Sequence, residues 1–153
     1  MARSNFKLIE AIRKTAKQLS ASTNYQWGHM GSCNCGHLVQ EITKLSAAQI
    51  HDYALANCMG DWSEQSQMFC GTGSMPMDLL FSELINVGLD ITDIKHLEKC
   101  SDPKVLFLLP VGKKHPKNNV KEDVVLYMET WATVLEEELI DKIEINILEQ
   151  IEA

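Results

Sequence analysis

Apolar residues recur at steps of three and four along most of this chain, a spacing that places them on one face of an α-helix. The first such stretch follows Ser4, a residue type common at helix N-caps, and includes Ile9, Ile12 and Leu19. It predicts a helix over residues 5–20. The pattern as a whole predicts a mostly α protein with five or six helices.

Four residues mark where helices in the middle of the chain begin or end. Ser46 and Gln49 have the spacing of a capping box, in which each side chain bonds the main-chain amide of the other residue. Pro76 is suited to the first turn of a helix, and Gly88 to the position that follows its last turn. These signals predict one helix that starts at Ser46 and another that runs from Pro76 to Gly88.

The C-terminal segment, residues 120–150, keeps helical spacing of its apolar residues throughout and contains no glycine or proline. It predicts one long amphipathic helix. A helix of ~30 residues is about 45 Å long, more than the width of a compact domain of this size. We therefore expect part of it to pack on a second copy in a homodimer. The alternative is a bend near residues 136–138 or Asp141 that folds the helix back on its own domain.

Two segments interrupt the helical pattern. Residues 21–36 are polar and contain three glycines, so they predict a long glycine-containing loop. Residues 104–109 form the one strand-like run, so at most one short strand is expected, and a run this short also fits buried coil or the end of a helix. No linker divides the chain, so we expect a single compact helical domain over residues 1–153.

The composition narrows the functional classes. With 45% hydrophobic residues, the 153-residue chain has enough apolar mass for one core. Its net charge of −7 repels phosphate backbones, so no nucleic-acid partner is expected. No apolar run approaches the ~18 residues that cross a bilayer, so no membrane segment is expected. The five cysteines are an odd number and no export signal is present, which favours reduced thiols in a soluble cytoplasmic protein.

One region concentrates the side chains that carry chemistry. Residues 27–77 hold 12 of the 17 His, Cys and Met residues in the chain. Sulfur and imidazole are the ligands that zinc and other transition metals prefer. Alternate residues of an extended segment point to the same side, so Cys33, Cys35 and His37 can converge on one ion, with His29 as a fourth ligand. The spacing therefore predicts a candidate site for zinc or another transition metal.

The same residues also resemble a nucleophile segment. The stretch Asn34–Gln40 is locally similar to papain-like hydrolases and acyltransferases, including the NlpC/P60 and lecithin:retinol acyltransferase groups. The resemblance implies that Cys35 is a nucleophile at the N-terminus of a helix, where free amides and the helix dipole stabilise a thiolate. A histidine would serve as its base, and His29, His96 and His115 are the candidates.

A structural role for these residues stays open as well. Buried cysteine behaves as a small hydrophobic residue, and methionine fills irregular gaps between helices. The expected function is a small soluble acidic helical binding or interaction protein whose Cys/His loop holds a transition metal or a small ligand. The alternative function is a thiol-dependent hydrolase or acyltransferase that uses Cys35.

Overall fold

The computed structural model of the protein describes residues 2–21, 25–57, 60–67, 69 and 76–152. Within these ranges the chain forms eight helices and no strand, which confirms the mostly α class. The helices are α1 (Phe6–Ala21), α2 (Asn34–Thr43), α3 (Ala47–Asn57), α4 (Trp62–Ser66), α5 (Pro76–Val87), α6 (Ile91–Lys99), α7 (Pro103–Leu108) and α8 (Lys121–Glu152).

The centre of the core lies where α1 packs against the first half of α8. The two helices run antiparallel: the Ser4 hydroxyl donates to Glu138 at one end, and Ser20 and Lys121 border the same surface hollow at the other. Burial of an aliphatic side chain stabilises the fold by ~1.5–3 kcal/mol, so the shared apolar face explains why both helices form. Its buried residues are Leu8, Ile12, Ala16 and Leu19 of α1 and Val124, Met128, Ala132 and Leu135 of α8.

Capping side chains set the first residues of the helices. Asn5 caps α1, because its Oδ1 accepts from the Leu8 amide at 2.9 Å. The cap predicted at Ser4 is therefore one position early. The capping box is confirmed: the Ser46 amide donates to Gln49 Oε1 at 2.9 Å, and the Gln49 amide donates to Ser46 Oγ at 3.2 Å.

Residues 104–109 do not form the short strand that was considered for them, because Pro103–Leu108 is the helix α7. Asp102 caps it by accepting from the Lys104 amide at 2.9 Å, and Pro103 occupies its first turn. Val105 is its one fully buried residue. A short apolar run has no resolvable period, so its helical start was visible only in the Asp-Pro pair that precedes it.

The helix count and one loop boundary also differ from the predictions. Eight helices replace the expected five or six, since α4 and α7 have only five and six residues and are too short to show a period. The loop predicted over 21–36 is shorter, because α1 extends to Ala21 and α2 begins at Asn34 with Cys33 as its N-cap. Residues 22–24 of that loop lie outside the described residues.

The long C-terminal helix is present. α8 runs from Lys121 to Glu152 without a break, so the bend considered near 136–138 does not occur. Its first half is buried against α1, whereas every residue from 140 to 152 is exposed. Among the described helices, none combines the length and the apolar character needed to cross a membrane.

Candidate functional site

The candidate site is built on the glycine loop, which we define as residues 25–33. The loop is held closed by its own main chain: the Gln26 amide donates to the Ser32 carbonyl at 3.1 Å. The amides of Ser32 and Cys33 both donate to the His29 carbonyl at 3.0 Å. These bonds make the segment a compact turn whose shape does not depend on a ligand.

Two side chains from neighbouring helices anchor this turn. The indole Nε1 of Trp62 in α4 donates to the Met30 carbonyl at 3.0 Å, and Trp62 itself is fully buried. Gln40 in α2 donates through Nε2 to the Gly31 carbonyl at 2.5 Å. The carbonyl groups of Met30 and Gly31 are therefore satisfied by side chains rather than by a sheet or helix.

Glycine is required where the loop touches other main chain. A Cβ built on Gly31 would lie 1.9 Å from the Ala47 carbonyl oxygen at the start of α3. A Cβ on Gly36 would lie 2.4 Å from the Met30 carbonyl oxygen. The loop, α2 and α3 thus meet backbone to backbone, at a separation that no side chain permits.

The first turn of α2 is capped and tied to α6. Cys33 Sγ accepts from the Gly36 amide at 3.4 Å, so a thiol takes the role that a hydroxyl or carboxylate usually has. Asn34 is completely buried; its Nδ2 donates to the Leu97 carbonyl at 2.6 Å and its Oδ1 accepts from the Cys35 amide at 2.9 Å. Cys33 and Asn34 therefore both have a structural role at the start of α2.

Cys35 lies at the second position of α2, as the nucleophile hypothesis expects, but it faces the interior. It is 2% exposed, and its Sγ lies 3.8 Å from the Ile94 carbonyl oxygen. Burial and the nearby Glu98 carboxylate raise the pKa of Cys35 well above its ordinary value. Burial likewise raises the pKa of Cys33 and of Cys100 to about 12. A buried thiol with a raised pKa is a poor nucleophile, which disfavours a catalytic role for Cys35.

The predicted histidines behave differently from the cysteines. His29 stacks on His51 of α3, with ring centroids 3.9 Å apart and planes 14° apart. Nδ1 of His29 accepts from the Gly31 amide, and Nδ1 of His51 accepts from the Met30 amide, each at 3.2 Å. Burial and the adjacent His51 ring lower the pKa of His29, so the neutral ring is favoured.

His37 is buried, and its ring contacts the main chain at the start of its own helix. Its Nδ1 lies 3.0 Å from the Cys33 carbonyl oxygen, four residues back along α2. Its ring lies 6.5 Å from that of Tyr25. The side chain therefore packs within the protein.

The structure does not bring the predicted site residues together. Across the described ranges, no three His, Cys, Asp or Glu side chains are close enough to share a metal ion. The sulfurs point into the core while the His29 ring contacts His51. No hydrogen bond joins His29 to Cys35. Of the other two candidate bases, His96 pairs with the Ser101 hydroxyl at 2.9 Å and His115 is exposed between α7 and α8. The ligand set and the nucleophile with its base stay predictions that this geometry does not support.

Sequence reasoning missed the acidic residue that faces the cysteines. Glu98 in α6 is only 5% exposed, and its Oε2 has no hydrogen-bond partner. Burial raises the pKa of Glu98 to about 7, although the Cys35 thiol beside it acts in the opposite direction. The one signal for Glu98 in the sequence was that it directly follows Leu97, which faces inward on α6. His51 was missed because a lone histidine on a helix carries no motif.

Comparison of the chain with protein-family models, with curated proteins and with solved structures gives no match. The resemblance of Asn34–Gln40 to papain-like enzymes therefore remains local to those residues. The function is inferred below from the chemistry that the described side chains present.

We predict that Gly31→Ala destabilises the protein by about 3 kcal/mol, because the new methyl group overlaps the Ala47 carbonyl. The matched control is Gly28→Ala. Gly28 has a positive φ of 93° but nothing within 4 Å of its built Cβ, so only backbone strain of about 1 kcal/mol is expected. Chemical denaturation of both variants measures the difference, and equal losses would contradict the backbone contact.

We predict that iodoacetamide leaves Cys33, Cys35 and Cys100 unmodified in the native protein at pH 7, since all three thiols are buried and protonated. All three should react in guanidinium chloride. Peptide mass spectrometry resolves each site. Preferential modification of native Cys35 would instead support the thiol-enzyme hypothesis.

We predict that Glu98→Gln changes the pH dependence of stability. The folded-state pKa of about 7 exceeds the ordinary 4.5, so the stability contributed by protonated Glu98 is complete below pH 4.5 and is lost as the pH rises towards 7. The variant should therefore gain up to about 3 kcal/mol on the wild type between pH 4.5 and 8. Denaturation curves at several pH values test this, with exposed Glu137→Gln as control; a pH-independent difference for Glu98→Gln would exclude the buried carboxylate.

Proposed function

We propose that this chain is a small helical binding protein, and that the His29–His51 pair beside the glycine loop binds an anionic group of a small ligand. The observation that carries the proposal is the hydrogen bonding of the two Nδ1 atoms. Each accepts from a main-chain amide of the loop. A neutral imidazole whose Nδ1 accepts carries its proton on Nε2, so each ring is a donor at its far edge.

The two donors are available to a ligand. Neither Nε2 has a hydrogen-bond partner among the described residues, and both side chains are partly exposed. Stacking holds the two rings face to face with centroids 3.9 Å apart, so one carboxylate or phosphate group can accept a hydrogen bond from each ring. The loop is already closed by its own bonds, so little ordering is required on binding.

The same geometry favours an anion over a transition metal. A metal binds an imidazole nitrogen through its lone pair, and here both lone pairs are directed at main-chain amides. Binding Zn²⁺ at Nε2 would require each proton to move to Nδ1, where it would oppose the amide of Met30 or Gly31. Of the two ligand classes that the sequence leaves open, the small ligand is therefore the better supported.

We predict that nitrogen-detected NMR of the histidine rings finds His29 and His51 in the Nε2–H form at pH 7.5. Titration with acetate, and separately with inorganic phosphate, should shift both Nε2 signals to saturation. His51→Asn keeps an acceptor near the Nδ1 position and removes the Nε2 donor. Loss of one hydrogen bond should weaken binding by about tenfold.

The matched control is His115→Asn, which removes an exposed histidine outside the loop and should leave the affinity unchanged. Circular dichroism of each variant confirms that its helices are intact. Absence of saturable shifts with either anion overturns the anion site. Binding of Zn²⁺ with deprotonation of Nε2 would restore the metal hypothesis.

We also propose that the protein forms a homodimer through α8 and resides in a reducing compartment, the cytoplasm. The exposed half of α8 supports the first point, because its apolar residues have no cover within the described chain. The unpaired thiols of Cys33, Cys35 and Cys100 support the second.

A further inference from the structure

The exposed end of α8, which we call the α8 tail, comprises residues 140–152. At 1.5 Å per residue this helix extends about 20 Å beyond the body of the protein. Nearly half of its residues are large and apolar, and all of them are exposed. They are Ile140, Ile143, Ile145, Ile147, Leu148 and Ile151. Monomeric proteins rarely expose so continuous an apolar surface, so a partner is required.

The charge of the tail restricts what that partner can be. Residues 140–152 contain four acidic residues and one lysine, a net charge of −3. Two tails that paired alone would bring like charges together, which is unfavourable. The surface that covers a tail must therefore supply positive charge as well as apolar contact.

The same chain carries such a surface, the α7 patch, on residues 103–114. This segment contains three lysines and no acidic residue. Three of its large apolar side chains are exposed: Phe107 at 79%, Leu108 at 48% and Val111 at 97%. Lys114 lies 5.8 Å from the centre of the Phe107 ring, so charge and apolar area are combined at one place.

The length of the tail can be compared with the distance to the α7 patch of a second copy. Within one copy, Lys104 of the α7 patch bonds Glu138 at 3.0 Å, just before the tail begins. If two tails lie antiparallel and cross near Asn146, the last residue of each reaches the level of Ile140 in the other copy. The Lys104–Glu138 contact lies two residues before that level, so the end of each tail comes near the α7 patch of the other copy. The length of the tail is therefore sufficient to reach it, and little more.

We infer that two copies of this chain form a symmetric dimer in which the α8 tails cross antiparallel and the acidic end of each tail packs on the α7 patch of the other copy. The arrangement is isologous, so each copy contributes one tail and one patch. It rests on the proposed homodimer and identifies its second surface. Apolar residues supply the contact area, and the opposite charges set the direction and register.

Charge exchange tests the arrangement in the full-length chain, with molecular mass from sedimentation velocity as the readout. Lys113→Glu with Lys114→Glu should raise the dimer Kd by on the order of tenfold, and so should Glu149→Lys with Glu152→Lys. An equimolar mixture of the two double variants should form a heterodimer at least as tight as the wild type. Of the four side chains replaced in the double variants, Lys113, Glu149 and Glu152 are exposed and Lys114 is partly exposed, so folding should be retained.

The matched control is Lys17→Glu with Lys44→Glu, which makes the same charge change in α1 and at the end of α2, outside both surfaces; it should leave the dimer unchanged. Ile147→Glu should produce a monomer. A wild-type chain that sediments as a monomer overturns the dimer and this arrangement together. If the dimer Kd is unchanged by both charge reversals, or if the mixture of variants fails to associate, the arrangement alone is overturned. Neither result affects acetate binding at His29 and His51.

Discussion

The contact of main chain with main chain at Gly31 determines the geometry of the whole candidate site. Ala47 of α3 on one side and Gly36 of α2 on the other leave no room for a Cβ. This closeness brings the amides of the loop to the rings of His29 and His51, and the loop carbonyls to Trp62. The side-chain contacts of the site follow from a backbone separation that only glycine permits.

One consequence is that neighbouring residues of similar chemistry enter opposite environments. Cys33 and Cys35 enter the core at the start of α2, beside a carboxylate that is itself buried. His29 lies only four residues earlier, yet it stays at the surface because the turn reverses direction between the two. Sulfur therefore serves packing and capping here, whereas the imidazole of His29 stays partly exposed.

Much of the fold was predictable, because α1, α3, α5 and α8 are long enough for their apolar period and caps to be visible. The short helices α4 and α7 were not, since one or two turns contain no period. The density of Cys and His in the sequence indicated the glycine loop, on which the proposed site is built. The arrangement of the side chains in this site depends on His51 and Glu98. These two residues come close to the loop and the start of α2 only in the folded chain, so the sequence near the loop does not reveal them.

The bond from Asn34 to the Leu97 carbonyl spans 63 positions of the chain. During synthesis from the N-terminus, the first turn of α2 therefore waits for its acceptor until most of the protein has left the ribosome. Closing so distant a pairing is slow compared with forming a helix. Until α6 is in place, Asn34 and the neighbouring Cys35 lack the burial that the folded chain gives them.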